Sequence, residues 1–522
     1  MCGIFGLFQV DIDKQRTRDA FEKTSRRGPD AQSIKCISDD IVFGFHRLAI
    51  VNLDEMGVQP FNYMNTTMVC NGEIYNCMDL QKYTPNIENW YAKSDCAVIQ
   101  VLYDNLSMSQ VCSSLDGVFA FLLLDKSESQ PTMYAARDPF GVRPLYWTRD
   151  GRFFASEVKS LISLVDDASH IAQFPPGCWW SSKHGLQRYY EYIYPYIEYN
   201  TPVNAIRIAL TSAVRKRMMS DRKIGCLLSG GLDSSLIAAL VQKSSSHQIE
   251  TFAIGMENST DLVAAQKVAD FINSKHHSVV VSEDDYFNAI PEVIRAIESY
   301  DITTVRASVG NYLVGKYIKE NSTCTVIFNG DGSDEQSGYL YLGGAPNNDE
   351  FKKECIRLLE EIHMFDVLRS DRSISSDHSL EARTPFLDKD FVQTYMGVDT
   401  ELKNYNNKIE KHLLRSAFAN ENLIPDEILW RRKEAFSDGC SGVERSWHSI
   451  IKERVDALIS DKEFESMGEY AYNPPTSKEA LYYRKIFDEV YPNCGSLLPH
   501  FWLPKYTDET DPSARELLNY MK

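Results

Sequence analysis

The sequence has no C-x-x-C pair among its twelve cysteines, so the spacing of a zinc or dithiol redox site is missing and most thiols read as reduced core residues. It has no run of about 18 apolar residues to cross a membrane. Its first residues lack the basic and apolar stretches of a secretory signal, which makes the cytosol the expected compartment. Positive charge is also scarce: 55 Lys and Arg against 73 Asp and Glu leave a net charge of -18. That balance opposes attraction to phosphate backbones or anionic membranes, and no local basic groove stands out. Neither nucleic acid nor a membrane is an expected partner; small soluble substrates are. Internal repeats and low-complexity tracts are absent.

What is present is 522 residues, 43% of them hydrophobic, enough for two or three domains with full cores. The chain opens "MCGIFGLF". Removal of Met1 gives Cys2 both a thiol and a free α-amino group, a nucleophile and base on one residue. The alternative reading is that Cys2 merely opens an apolar edge strand. Strand-like segments follow at 41–51, 67–75, 117–125 and 132–138, with a helical spacing over 97–106, a pattern of stacked sheets with helices outside.

A Pro- and Tyr-rich passage around 174–204 reads as the connection between domains, with the first domain at 1–190, a linker at about 191–204 and a second domain at 205–522. Ile206, Ala209, Leu210, Ala213 and Val214 fall on one helical face, and Arg215, Lys216 and Arg217 suit the negative end of that helix. Strand-loop-helix units then recur at 223–241, 250–282 and 324–335, which predicts a parallel sheet with ligands at the carboxyl ends of its strands.

In "LLSGGLDSS" (227–235), two glycines let backbone N-H groups curl round an anion, Ser229 and Ser234 add hydroxyl donors, and a helix N-terminus adds positive potential. No G-K-[ST] follows, so this is not the Walker loop. The same letters also serve as plain turns. Asp233 within the loop, with Asp331, Asp334 and Glu335 in "GDGSDE" after another strand, makes sense if metal-bound pyrophosphate is shared between them; a solvated acidic turn is the alternative.

These residues, with "RRGPD", "FHRLAIV", "NGEIYN", "DGVFAF", "RDPFGVRPLY", "YDITTVRAS", "HSLEARTPFLD", "IEKHLLR", "WRRKEAFSDG" and "DPSAR" in this order, carry a resemblance over nearly the whole chain. It resembles the glutamine-dependent asparagine synthetases. The resemblance implies an N-terminal αββα sandwich of antiparallel sheets, like the N-terminal-nucleophile hydrolases. A C-terminal doubly wound parallel-sheet domain of the ATP pyrophosphatase type, with a helical extension, completes an α/β and α+β chain. It implies that Cys2 attacks the glutamine amide, with Asn71 and the Gly72 N-H as oxyanion donors. Arg47 would meet the glutamine carboxylate, and Glu73 and Asp95 its ammonium.

By the same resemblance ATP lies against Leu227, Ser229, Gly230, Gly231, Asp233, Ser234, Ile254, Asn329 and Gly330, with Mg²⁺ between Asp233 and Asp334. Lys433 and Asp331 stand near the reacting groups, and Thr303, Thr304 and Arg306 belong to a loop that closes over the intermediate. The substrates implied are glutamine, aspartate and ATP, and the assembly a homodimer. Three positions depart from the family pattern: Asp331 where glutamate is usual, Asn329 where serine is usual, and Ala97 where an acid is common. A related adenylating amide former such as a β-lactam synthetase, or a catalytically weak ligand-sensing homologue, are the rival readings. His276 and His277, the tyrosines of 189–199, and Arg27 with Asp30 read as structural.

Overall fold

The computed structural model describes residues 1–80, 94–405, 409–433, 439–442 and 445–506. "DPSAR" (511–515) and residues 434–438 of "WRRKEAFSDG" lie outside the described residues.

The N-terminal strands alternate in burial partners as period 2 requires. Along Gly3–Phe8, Ile4 and Phe8 pack with Val69, Leu122 and Leu124 of a facing sheet, whereas Phe5 and Leu7 pack outward with Ala20, Phe21 and Leu161. Two six-stranded antiparallel sheets therefore face each other. The first runs Ile171–Gln173, Tyr146–Thr148, Phe153–Ala155, Gly3–Phe8, Ile41–Arg47, Ala31–Ser38. The second runs Gly185–Arg188, Cys178–Ser181, Thr132–Arg137, Gly117–Asp125, Thr66–Ile74, Phe61–Tyr63. Helices Lys14–Glu22 on one side and Val98–Tyr103 and Met108–Ser114 on the other complete an αββα sandwich.

Two expectations change. The strand after Cys2 is interior, hydrogen-bonded on both sides, so the edge-strand reading of "CGIFGLF" fails. The passage from 174 is not all connection: Cys178–Ser181 and Gly185–Arg188 form the margin of the second sheet, their alternation hidden by Trp and Pro. Extended chain runs from 189 to 201, and the next helix begins at Pro202, where proline suits the first turn. Tyr192 and Tyr194 are buried there, the Tyr192 hydroxyl donating to the Pro139 carbonyl at 2.5 Å. They pack the seam as expected.

The C-terminal sheet is parallel throughout, in the order Lys275–Val280, Glu250–Gly255, Lys223–Leu227, Cys324–Phe328, Glu381–Arg383. The chain starts at Lys223–Leu227, builds two strands to one side, then crosses to the other. The carboxyl ends of Lys223–Leu227 and Cys324–Phe328 thus flank a topological switch point, where α/β sheets open a crevice. His276 and His277 lie in this sheet, bonded to Thr251 and Glu250 at 2.9 and 2.8 Å, in a structural role.

The two domains meet through buried charge. Glu157 of the first domain is held by Arg27 of its own domain at 2.7 Å and faces Arg372 of the second at 3.6 Å, and Arg372 also reaches Glu298 of its own domain at 3.3 Å. Arg143 of the first domain reaches Asp371 at 3.5 Å and Glu381 at 3.4 Å. Against burial, which alone raises it, Lys159, Arg27 and Arg372 hold the Glu157 carboxyl well below the usual range. Removing one partner of such a pair costs about 3–5 kcal/mol, so the seam is stiff. Asp30 also crosses it, accepting from Arg222 at 3.0 Å.

Candidate active sites

In the first domain, the register Gly3↔His46 brings Arg47 opposite the start of the chain. Cys2 Sγ lies 3.5 Å from the Leu48 carbonyl, and the Arg27 Nε donates to the Cys2 carbonyl at 2.9 Å. Burial pushes the Cys2 thiol up to about 11. Burial likewise pulls the Met1 amine down to about 5, while it donates to the Leu380 carbonyl at 3.0 Å.

Asn71, Gly72 and Glu73 sit on the strand Thr66–Ile74, in register with Ala120, Phe119 and Val118. The Asn71 side-chain amide nitrogen is buried and donates to nothing. At Gly72 a Cβ would stand 2.5 Å from the Val118 carbonyl oxygen, so only glycine fits that strand crossing. Glu73 and Asp95 interact electrostatically, and burial together with Glu381 and Asp95 raises the Glu73 carboxyl well above its ordinary value. Asp95 accepts from the Ile74 N-H at 2.5 Å. Electrostatic interaction links Cys2 to Arg47 and to Glu73, and Glu73 in turn to Asp95. Arg47 is turned onto its own loop, donating to the Asn52 and Asp54 carbonyls.

In the second domain, the crevice at the switch point is a cavity of about 200 Å³. It is lined by Leu227, Ser229, Gly231, Asp233, Ser234, Ile254, Asn329 and Gly330, all from the strand ends and loops expected to hold nucleotide. Gly230 is not on the wall: at φ +74 it turns the loop, and a Cβ there would meet Ala264 main chain at 2.5 Å. Ser229 and Ser234 hydroxyls lie 3.0 Å apart, and the helix Leu232–Ser244 starts just after Gly231.

Asp233 and Asp334 come from facing loops and share one cation, the buried Lys411 ammonium, at 2.5 and 2.7 Å. Lys433 reaches Asp334 at 2.5 Å. Against burial, these two lysines hold the Asp334 carboxyl well below the usual range. Lys411 adopts φ +55, a left-handed conformation that costs a lysine energy and is retained where function over-determines it.

Asp331 pairs with Arg369 at 2.5 Å, and Arg369 also holds Asp366 at 3.0 Å. Burial raises the Asp331 carboxyl in spite of that partner. Arg369 is delivered by a π-helical turn, Leu368–Arg372, whose wider winding aims Arg369 into the cavity while Asp371 and Arg372 face the seam. The Asn329 side-chain nitrogen is buried without a partner.

The expected closing loop is corrected in form. Residues Ile302–Asn321 are one helix, started by Asp301, whose carboxylate accepts from the Thr304 N-H at 2.8 Å. Thr303 and Thr304 line the cavity from its first turn. Arg306 does not: its guanidinium forks onto Glu479 at 2.8 and 2.7 Å. Lys411, Arg369 and Asp366 had been given no role from the sequence. "IEKHLLR" contained Lys411, but no local spacing marks a lysine whose partners lie 178 and 77 residues away in "GGLDSS" and "GDGSDE".

Comparison with known proteins decides which chemistry this pair of sites belongs to. A glutamine amidotransferase domain model matches residues 1–193, and an asparagine synthase model matches 205–348 and 343–510. The human protein named asparagine synthetase (glutamine-hydrolyzing) is 42% identical over 562 aligned positions, covering all of this chain and 99% of its own. The Gallus gallus and Rattus norvegicus proteins of that name are 42% and 41% identical with the same coverage. The chain belongs to the glutamine-hydrolysing asparagine synthetase family. For a member of this family the unpartnered Asn71 amide gives a direct expectation. Asn71→Ala should lower the glutaminase kcat by about 10²–10³ with little change in KM, measured as glutamate release.

Proposed function

We propose that this chain makes asparagine from aspartate, ATP and the amide nitrogen of glutamine. The observation that carries the reading is the pairing of two sites: a part-buried Cys2 at the start of the chain with an unpartnered Asn71 donor on the facing sheet, and a switch-point cavity where two carboxylates share a cation. Cys2 Sγ attacks the glutamine amide carbon, Asn71 and the Gly72 N-H receive the oxyanion, and ammonia leaves as a thioester forms. Water then releases glutamate. Glu73 and Asp95 supply negative charge for the glutamine ammonium, and Arg47 answers its carboxylate after turning from the Asn52 and Asp54 carbonyls.

In the second cavity an aspartate β-carboxylate oxygen attacks the α-phosphorus of ATP and pyrophosphate departs, leaving β-aspartyl-AMP. Ammonia attacks the acyl carbon, loses a proton, and AMP leaves. Ser229, Ser234 and the helix start after Gly231 receive phosphate oxygens. Leu227 and Ile254 give apolar walls for the adenosine, and Asn329 and Gly330 flank it. Lys433 offsets charge on the reacting phosphoryl group, and Asp331, held by Arg369, stands beside it. Thr303 and Thr304 close the wall opposite.

Two oxygen-bearing side chains facing each other, with one Asp233 oxygen buried and unpartnered, fit Mg²⁺, which takes one or two carboxylates and completes its shell from phosphates and water. Bound there it would neutralise the departing pyrophosphate. The segment 380–383 touches both sites: the Met1 amine donates to the Leu380 carbonyl, and the Asn329 N-H donates to the Arg383 carbonyl at 3.0 Å. Ammonia passing along this seam stays out of bulk water. A homodimer, by the family resemblance, and the cytosol, by the missing signal and membrane-spanning run, complete the reading.

The test is product analysis with aspartate, MgATP and amide-labelled glutamine. Labelled asparagine with AMP and pyrophosphate is expected. Glutamate and free ammonia without AMP would overturn the synthetase half, and substrate binding without any product would favour the sensor reading.

A further inference from the structure

At the far end of the strand Thr66–Ile74 from Asn71, about 17 Å away by the rise of a strand, lies a second cavity of about 440 Å³. That volume is in the range of small-molecule sites. Its walls are aromatic: Tyr63, Tyr103, Tyr134 and Trp179. Tyr103 and Tyr134 meet edge to face with centroids 5.3 Å apart, and Tyr134 and Trp179 are 6.2 Å apart. Among the described residues the charged lining is Asp104 and Asp125, with His184 and neither lysine nor arginine. The Tyr103 hydroxyl donates to Asp125 at 2.9 Å, which fixes the ring upright.

Two polar atoms here are left over. Gln100 is wholly buried and lines the cavity; its amide nitrogen donates to the Thr66 hydroxyl at 2.9 Å and the Phe61 carbonyl at 3.3 Å, while its oxygen has no partner. The Trp179 indole N-H is buried and donates to nothing. A buried acceptor without a partner is destabilising, and a ligand donor at the Gln100 oxygen would satisfy it. Aromatic faces, two carboxylates and a free amide oxygen favour a cation with N-H groups, which leaves the Trp179 N-H, a donor, to other partners.

We propose that this cavity binds a small organic ammonium ion, its N-H groups donating to the Gln100 oxygen and its charge lying between the aromatic faces and Asp104 and Asp125. No step of the proposed reaction uses it.

The test is calorimetric titration of the full chain with putrescine, against 1,4-butanediol as its uncharged isostere. Saturable putrescine binding is expected, with the diol at least about tenfold weaker. Because the chain is acidic overall, location is checked with Asp104→Asn, at an exposed carboxylate, and Trp179→Phe, which keeps a ring. Both should keep glutaminase activity as evidence of folding. Asp104→Asn should weaken putrescine several-fold, and Trp179→Phe should weaken it less. Equal binding of diol and diamine, no saturable heat, or unchanged affinity in both variants would overturn the proposal.

Discussion

Cys2→Ala is expected to lower glutamine-dependent asparagine synthesis by at least about 10³-fold while ammonia-dependent synthesis stays within about a factor of two. The two nitrogen sources separate the sites, because ammonia needs only the cavity around Asp233 and Asp334. The same logic bears on Met1. With its thiol pushed up to about 11, Cys2 at neutral pH is a thiol with only about 1 part in 10⁴ thiolate, so a base must take the proton. An amide nitrogen, which Cys2 has while Met1 is attached, is no base. Once freed, the Cys2 amine lies in the buried surroundings that pull the Met1 amine down to about 5. Burial therefore favours its neutral form, which accepts protons at pH 7. Protonation removes the base, so glutaminase activity should fall as pH drops through the amine's pKa. Intact mass with paired rate measurements checks this: a chain retaining Met1 should synthesise from ammonia alone. Equal glutaminase rates with and without Met1 would remove the amine from its role.

The sandwich and the parallel sheet were legible because both rest on local periodicity. Gly117–Asp125 is bounded just where its apolar run begins and ends, and the loop at Ser229 to Asp233 is announced by adjacent glycines. Strand register sets Cys2 opposite Arg47 and places Asn71, Gly72 and Glu73 on one strand of the facing sheet. What the sequence hid depends on distant partners. "YDITTVRAS" carries a helix-start signal in Asp301 and Thr304, yet Arg306 leaves the cavity only because Glu479 waits 173 residues on. Arg369 enters through a π-helical turn that no residue pattern marks. The Pro- and Tyr-rich stretch from 174 concealed two short strands: Trp179 and Trp180 put an aromatic on each face of Cys178–Ser181, and Gly185–Arg188 is too short and polar to show an apolar alternation.

Lys411→Met is the second substitution with a large expected effect: a loss of about 10²–10³ in synthesis from ammonia, with glutaminase within about twofold of wild type. The ammonium lies 2.5 and 2.7 Å from Asp233 and Asp334 and is almost fully buried, so its removal leaves two facing carboxylates opposed, among the described residues, by Lys433, which stands 2.5 Å from Asp334 and 3.9 Å from Asp233. The consequence for Asp334 has a definite sign. Its carboxyl is held below its unfolded value by Lys411 first and Lys433 second, so this contribution to stability is present above the unfolded pKa and is lost as pH falls through the folded one. Without Lys411 the folded value moves up, and the acid limb of the stability curve should shift to higher pH. Mg²⁺ should recover part of the thermal stability of the variant, since a divalent ion can take the place between the carboxylates. Lys411→Arg restores charge but not the compact ammonium geometry, and should recover stability more than rate. An unchanged rate of pyrophosphate release in Lys411→Met would show that Lys433 alone carries the charge and that the strained backbone at Lys411 serves packing.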